Sequence, residues 1–457
     1  MNRISFKYYH IKLEHIYVIL SLIFGIIFVF INGPFQAPDE YSHFYRAYQI
    51  SKGNLICEHH NNMNGAYVPK SLIMSNQIKL SEDIPFHSDK KFNIKNIMFE
   101  LTHVQLNPKD EMFVAIPNTS AYAPIMYLPQ SMGIEIGKKF NLSPLALMYL
   151  GRLFNLIFST TMIYFSMKNI SSKKSLLFLF GLMPMLLYES ASLSADGVTN
   201  CLSIFTISYF IKLSKNGNEG LKVKEVLIMF LLICLVSLTK QVYFLFSLLY
   251  FLIPKYKFKS KKQHLILGFF IIILSILINL FWMNISGANH VLSTNSNASP
   301  KDQVIYILQH PILFIEIFAR TITLNGEFYL KSFIGILGWL DTKLPNYIIY
   351  SYVIVLIVAS LINNENEKIN FKNRIILLLL FLSIGILVVT ALYITYTLVG
   401  GSTVEGVQGR YFIPIALLLF LALGIKNIKI KYFNVFCVIY VILVLISTQV
   451  ILFNRFY

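Results

Sequence analysis

Long runs of apolar side chains recur along the chain and alternate with polar stretches of very different lengths. A transmembrane helix needs about 20 mostly apolar residues, and an open strand or loop would leave backbone polar groups without partners in hydrocarbon. The pattern therefore predicts an all-α polytopic integral membrane protein with about eleven transmembrane helices. The predicted spans lie near residues 15–34, 144–167, 175–193, 197–213, 225–239, 241–254, 264–284, 345–362, 374–399, 410–425 and 433–453.

Two polar segments, about 35–142 and about 285–344, are much longer than the others. Within the first, the pattern predicts two interfacial helices, near 38–52 and near 122–136. The second candidate is apolar but short, and it carries prolines and a glutamate, which favours a helix on the membrane surface over a span. We therefore expect one membrane domain, 1–457, with a large first outer loop and a second outer loop.

Charge gives these segments an orientation. Only 13% of the residues are charged, whereas a soluble domain is usually about a quarter charged. The formal net charge is +17, and the basic residues collect in short loops on one side of the predicted spans. Because cytoplasmic loops of membrane proteins are enriched in Lys and Arg, this predicts a cytoplasmic N-terminus, with both long segments outside the cell membrane. The same rule explains the positive charge without a nucleic-acid partner.

The first polar cluster follows the first span directly. Pro38 can begin a helix, and Asp39, His43 and Arg46 share one face of it because they are spaced i, i+4 and i+7. Acids such as Asp39 and Glu40 are also favoured at a helix start by the helix dipole, which would be a purely structural role. Their position beside the membrane surface favours a function for Asp39, while the His and Arg could simply neutralise the acids.

Two very short outer turns carry further charges. Asp196 lies in the first turn, where it could bind a substrate or act as an ordinary turn residue. Lys240 and Gln241 lie in the second turn. A lysine on the outer side departs from the positive-inside trend, so it either reaches the headgroup region or meets an anionic ligand.

A third cluster precedes the span near 410–425 and contains Glu405, Gln408, Arg410 and Tyr411, with glycines that allow close backbone approach. A guanidinium at the start of a span can bind a phosphate with two parallel hydrogen bonds. The alternative is an arginine that anchors the helix at the lipid headgroups. We favour phosphate binding.

Arg152 lies within the predicted span 144–167. A charge inside a membrane is functional by default, although pairing with Glu135 or Glu189 would make it structural.

Six short segments together carry a resemblance to a known family. They are Asp39-Glu40, Tyr122–Gln130, Gly151-Arg152-Leu153, Ser194-Ala195-Asp196, Leu337–Asp341 and Gln408–Tyr411. In this order they resemble a bacterial family of polytopic membrane proteins without an assigned function, and that family resembles the GT-C glycosyltransferase superfamily. The resemblance covers nearly the whole chain. At Tyr122 the chain reads Tyr-Ala-Pro-Ile where superfamily members typically carry His-Pro-Pro-Leu.

The resemblance implies a GT-C-like core and a membrane glycosyltransferase. Such an enzyme moves a sugar from a polyprenyl-phosphate donor to a glycan, lipid-linked or protein acceptor on the outer face, with inversion. Asp39, with Glu40 beside it, would be the base or a ligand of a divalent cation such as Mg²⁺ or Mn²⁺. Arg410 and Lys240 would hold the donor phosphate. The implied substrate-binding residues are His43, Arg46, Arg152, Asp196, Gln241, Glu405, Gln408 and Tyr411.

Other functions stay open at this point. A transporter or flippase would need polar groups near the middle of the bilayer, and Arg152 and Glu189 favour that reading. A polymerase or ligase of lipid-linked glycans would use a lipid diphosphate donor, and a non-catalytic assembly partner is a third alternative.

Overall fold

The computed structural model of the chain describes residues 12–61, 63–74, 81–215, 219–286, 298–362, 369–424 and 430–457. The basic residues Arg3 and Lys7, on which the predicted orientation partly rests, lie outside the described residues, as does 287–297 in the predicted second outer loop.

Helices make up most of the described chain. The α-helices are α1 Leu13–Ile31, α2 Glu40–Ser51, α3 Ile94–His103, α4 Pro117–Ser120, α5 Leu128–Lys139, α6 Pro144–Asn169, α7 Lys174–Gly181, α8 Pro184–Ser190, α9 Ala195–Ser214, α10 Val223–Ser237, α11 Lys261–Ile285, α12 Pro300–Gln309, α13 Pro311–Ile334, α14 Asn346–Leu361, α15 Phe371–Thr395, α16 Ile413–Leu423 and α17 Phe433–Phe456. The 3₁₀ helices include Gln241–Leu252 and Gly409–Phe412.

Five of the described helices are long and apolar enough to cross a membrane: α1, α6, α11, α15 and α17. The bent pair α12 and α13 raises this number to six. The chain is therefore an all-α membrane protein with several apolar helices, and the count of eleven spans stays a prediction.

Several predicted spans are shorter or broken in the structure. The span predicted at 175–193 forms α7 and α8, and Pro184 begins the second piece because its ring fits only the first turn of a helix. The span predicted at 241–254 is a 3₁₀ helix of 12 residues, although such helices rarely exceed one turn. The last short piece, α16, follows a 3₁₀ turn.

The predicted second outer loop differs most from the structure. Instead of a loop, Pro300–Gln309 and Pro311–Ile334 form two helices bent by 109°. The bend lies at His310, because a residue that precedes a proline avoids the helical conformation. Charged residues interrupt the apolar pattern of α13, so the sequence pattern does not predict a span there. They are Glu316, Arg320, Glu327 and Lys331.

The first long loop contains helices at both predicted places, α2 and α5, and a small antiparallel sheet. The sheet has the order β1-β2-β3, with β1 Glu58–His60, β2 Met63–Pro69 and β3 Glu111–Ala115. A hairpin of β4 Ile336–Leu337 and β5 Thr342–Lys343 follows α13. We call the end of the bundle that carries residues 32–143 the loop face.

Arg152 on α6 joins the loop face to the bundle. Its guanidinium is fully buried and uses all five N–H donors. Nε donates to Glu40 Oε1 at 2.8 Å, and Nη2 donates to Glu40 Oε2 at 2.6 Å. The remaining N–H groups bond the carbonyls of Val29, Asn32 and Gly33 at the end of α1, at 2.7–3.0 Å.

Glu40 completes this junction from the first turn of α2. Its Oε1 also accepts the N–H of Leu193 at 2.9 Å, and Oε2 accepts the N–H of Ala37 at 3.3 Å. Two buried charges of opposite sign thus tie together α1, α2, α6 and the turn before α9. Because every donor is occupied, the pair fixes where the N-terminus of α2 begins.

We expect Glu40→Gln to lower the thermal stability of the purified protein strongly, because it leaves the Arg152 charge buried without a counter-ion. Removing one partner of a buried pair costs about 3–5 kcal/mol. The melting temperature in detergent measures this effect. The matched control is Glu219→Gln, which removes an exposed ion pair to Lys222 and should leave the melting temperature unchanged. Equal melting temperatures for both variants would contradict the structural role of Glu40.

Candidate functional site

Charged side chains from distant parts of the chain meet beneath α2 at the loop face. We call them the charged cluster: Asp39, His43, Glu189, Asp196, Lys240 and Arg410. Each lies at or near the end of a helix, where the chain turns. This position leaves a polar side chain at the boundary between the apolar bundle and the polar loop.

The first ion pair of the cluster joins the first turn of α9 to the residue that precedes the 3₁₀ helix Gln241–Leu252. Lys240 Nζ lies 2.9 Å from Asp196 Oδ1, and the two side chains are 21% and 16% exposed. The Lys240 ammonium also lies 5.1 Å from the centre of the Tyr411 ring. The two charged groups are therefore in close contact and still partly exposed.

The second ion pair is deeper and looser. Arg410 Nη1 lies 3.7 Å from Glu189 Oε1, and Glu189 Oε2 accepts from the Asn200 side chain at 2.7 Å. Arg410 Nε and Glu189 Oε1 are both buried without a hydrogen-bond partner. Buried polar groups are usually paired, so these two atoms leave hydrogen-bonding capacity that a ligand or water could take up.

Gly409 explains how Arg410 comes to lie there. Its N–H donates to Ser332 Oγ on α13 at 2.8 Å. A Cβ at this position would lie 1.8 Å from the Tyr329 carbonyl oxygen, so only glycine allows the two backbones to approach this closely. The neighbouring Gln408 has a buried Oε1 without a partner.

His43 faces the cluster from α2. Its Nδ1 lies 2.8 Å from the Tyr127 hydroxyl, and its imidazole is buried. Burial lowers the pKa of His43 below its ordinary value, although the carboxylates of Asp39, Asp196 and Glu40 oppose that shift. The ring is therefore neutral near pH 7.

Asp39 lies at the mouth of the cluster and is half-buried. Its backbone has φ = 58°, a left-handed conformation that costs roughly 1–2 kcal/mol for most residues but that Asp tolerates. Its Oδ1 accepts from the Asn118 side chain at 3.1 Å. The carboxylate is thus oriented by one neighbour while it stays reachable from outside.

An apolar cavity of about 260 Å³ opens beside the cluster. Tyr122, Lys240 and Tyr411 line both the cavity and the cluster, and burial raises the pKa of Tyr122 to about 12. Trp282 lies in the cavity wall, where its indole N–H donates to the Ala121 carbonyl at 2.8 Å. Lys240 thus places a positive charge in the wall of a largely apolar space, and Arg410 lies against Tyr411 in the same wall.

The structure places three predicted site residues elsewhere. Glu40 and Arg152 are saturated by one another and by backbone groups, which favours a structural role over the predicted catalytic and substrate-binding ones. Arg46 is fully buried and bonds the Gln49 side chain and the Leu55 carbonyl within the loop. None of the three faces the cavity.

The two remaining predicted residues lie at the edge of the site. Gln241 lines the cavity, and its carbonyl accepts from Asn279 at 2.9 Å. Glu405 is exposed, and its N–H donates to Thr397 Oγ1.

The predicted cation site does not fit the observed geometry. Asp39 and Glu40 do not share an open space, because both Glu40 oxygens are bonded to Arg152. Among the residues that the structure describes, no three His, Cys, Asp or Glu side chains are arranged to hold a metal ion.

A family profile described as a predicted membrane protein, DUF2142, matches residues 22–419. The chain belongs to this family. No curated protein and no solved structure matches the chain. The DUF2142 range contains every member of the charged cluster as well as the Arg152–Glu40 pair. The likeness to glycosyltransferases rests on the short motifs alone and stays a prediction.

Three residues of this DUF2142 site were not predicted from the sequence: Glu189, Asn118 and Trp282. Glu189 is an acid inside an apolar run, and that signal was visible in the sequence, but its expected partner was Arg152 and not Arg410. Asn118 and Trp282 carry no sequence signal, because only the packing of the loop against α11 brings Trp282 to Ala121.

We expect Gly409→Ala to destabilise the protein by about 1–3 kcal/mol, because the new methyl group would collide with α13. The melting temperature of the purified variant measures this effect. Gly326→Ala is the matched control on α13 itself, since a Cβ there meets no atom within 4 Å and alanine favours the helix. A Gly409→Ala variant as stable as the control would contradict the close approach.

We also expect a pH effect from His43. Because its pKa is lowered in the folded protein, the unfolded chain binds the proton more readily, so stability falls as pH drops below about 6.5 and is unaffected above that value. The melting temperature at pH 7.5 and at pH 5.5 measures this loss. His43→Gln should show a smaller loss, whereas the exposed His103→Gln should behave as the parent protein. Identical losses in all three proteins would contradict the assignment.

Proposed function

We propose that the protein is a membrane glycosyltransferase that moves a sugar from a lipid-phosphate carrier to an acceptor at the loop face. The observation that carries this proposal is that Lys240 lines a largely apolar cavity and that Arg410 lies against Tyr411, which lines the same cavity. A polyprenyl phosphate has the matching form, since its anionic headgroup joins a long apolar chain. The proposal places the loop face outside the cell, in agreement with the positive-inside rule.

The electrostatics support a phosphate at this place. Lys240 Nζ and Arg410 Cζ lie 5.1 Å and 5.4 Å from the centre of the same Tyr411 ring. Charges that surround a leaving phosphate in a partly dry site act more strongly than in water, because the local dielectric constant is lower. Both cations would therefore stabilise the negative charge that develops when the sugar leaves.

Asp39 has the properties of the base. An acceptor hydroxyl attacks the sugar carbon, its proton passes to the Asp39 carboxylate, and the phosphate leaves with the electron pair of the broken C–O bond. A base needs access to the acceptor and a fixed orientation, and Asp39 combines partial exposure with the contact to Asn118. One base on one side of the sugar predicts inversion.

Other functions draw less support from the same contacts. Arg152 and Glu189 are the residues that favour a transporter. The five donors of Arg152 are fully occupied, and Glu189 is the acidic partner of Arg410 in the charged cluster. A polymerase of lipid-linked glycans would use the same cavity and the same base. Its donor would be a lipid diphosphate instead of a lipid monophosphate.

We expect Asp39→Asn to abolish sugar transfer while the protein still inserts and folds, because the amide cannot accept the proton. The measurement is the surface-glycan composition of cells that lack the protein and are complemented with each variant. The matched control is Asp110→Asn in the same loop, which removes an exposed pair to Lys70 and should restore the parent glycan. Full restoration by Asp39→Asn, at equal protein level, would remove Asp39 as the base.

A further inference from the structure

Both cations of the charged cluster already have an acidic partner. Asp196 holds Lys240 at 2.9 Å, and Glu189 lies 3.7 Å from Arg410. The two pairs differ in a way that matters for an incoming anion. Arg410 keeps a buried Nε–H without an acceptor, whereas the Lys240 ammonium has a tight carboxylate contact.

A phosphate oxygen could therefore bond Arg410 without breaking a hydrogen bond that Arg410 already makes. Reaching Lys240 is different, because its ammonium already donates to the Asp196 carboxylate at 2.9 Å. The Asp196 carboxylate would also repel the phosphate, and this repulsion is strong at short range in a partly buried site. The two acids thus balance the charges of the two cations.

We propose that Asp196 is a displaceable counter-ion, which a phosphate monoester headgroup replaces as the partner of Lys240. This inference rests on the proposed function, because it takes a lipid phosphate as the ligand. It reverses the role expected of Asp196 as a substrate-binding group, since an acid that competes with the ligand lowers the affinity. The displaced carboxylate still faces His43, on whose ring its charge already acts.

The chain offers a built-in reporter for this test. It contains two tryptophans, Trp282 and Trp339, and Trp282 alone lines the cavity. The Trp339 indole bonds the Phe35 carbonyl, away from the cavity. In a Trp339→Phe background, the fluorescence of Trp282 in detergent therefore follows the filling of the cavity.

The probes are farnesyl phosphate, farnesol and inorganic phosphate, each titrated into the full-length protein. We expect farnesyl phosphate to bind more tightly than either other probe, since it alone fills both the cavity and the charged end. We expect Asp196→Asn to bind it roughly three- to tenfold more tightly, because the amide keeps the shape and removes the competing charge. Asp196→Glu keeps the charge and should bind as the parent protein does.

Lys240→Gln should lose the preference for farnesyl phosphate over farnesol. If Asp196→Asn is unstable, Asp196→Ser tests the same loss of charge.

The outcomes separate the two proposals. No preference for farnesyl phosphate over farnesol in the parent protein overturns the phosphate site, and with it both proposals. If the parent protein prefers farnesyl phosphate and Asp196→Asn leaves that preference unchanged or weakens it, only the counter-ion role is overturned. Equal binding of inorganic phosphate and farnesyl phosphate overturns the lipid carrier and leaves an anion site. If Asp196→Asn strengthens the preference for farnesyl phosphate and Asp196→Glu does not, the result supports displacement.

Discussion

The buried pair of Arg152 and Glu40 is the constraint on which the rest of the loop face depends. A guanidinium in an apolar bundle is stable only when each of its N–H groups has an acceptor, and here five acceptors come from two helices. The pair fixes the end of α1 against the beginning of α2. Asp39 precedes Glu40 directly, so the bonds between Glu40 and Arg152 also fix the position of Asp39.

The ion pairs of this protein differ in how completely they are satisfied, and that difference separates scaffold from candidate site. The Arg152 pair has no unused donor, which suits a fixed joint. Arg410 and Glu189 face each other at 3.7 Å and keep unpaired atoms at the same depth. An unsatisfied buried pair is costly for folding alone, so a ligand that completes it gives a physical reason for its presence.

Gly409 and Tyr411 determine where Arg410 lies in the charged cluster. Gly409 allows the chain before α16 to touch the backbone of α13, and the next residue is Arg410. Lys240 and Arg410 both lie near the Tyr411 ring. The two positive charges can share one site because this ring and the paired acids, Asp196 and Glu189, offset their repulsion.

The sequence by itself determined the class of protein and the surface at which its polar residues gather. Apolar runs without water-facing charge require helices in a membrane, and this argument needs no knowledge of packing. The helices near 38–52 and 122–136 could also be predicted from local features, because Pro38 can begin a helix and the second stretch is apolar but short. The acid at 39 and the arginine at 410 stood out because charges beside long apolar runs are rare.

Only the tertiary structure decided which of these charges serve the fold. Asp39 and Glu40 are neighbours in the chain with the same chemistry, yet one faces the site and the other is bonded to Arg152. Whether a charge is saturated depends on backbone groups at the end of α1, before α2 and before α9, and no local pattern contains that information. The helix α13 was missed because its charged residues interrupt the apolar pattern, and one of them, Glu327, accepts from Tyr350 of α14 only in the folded chain.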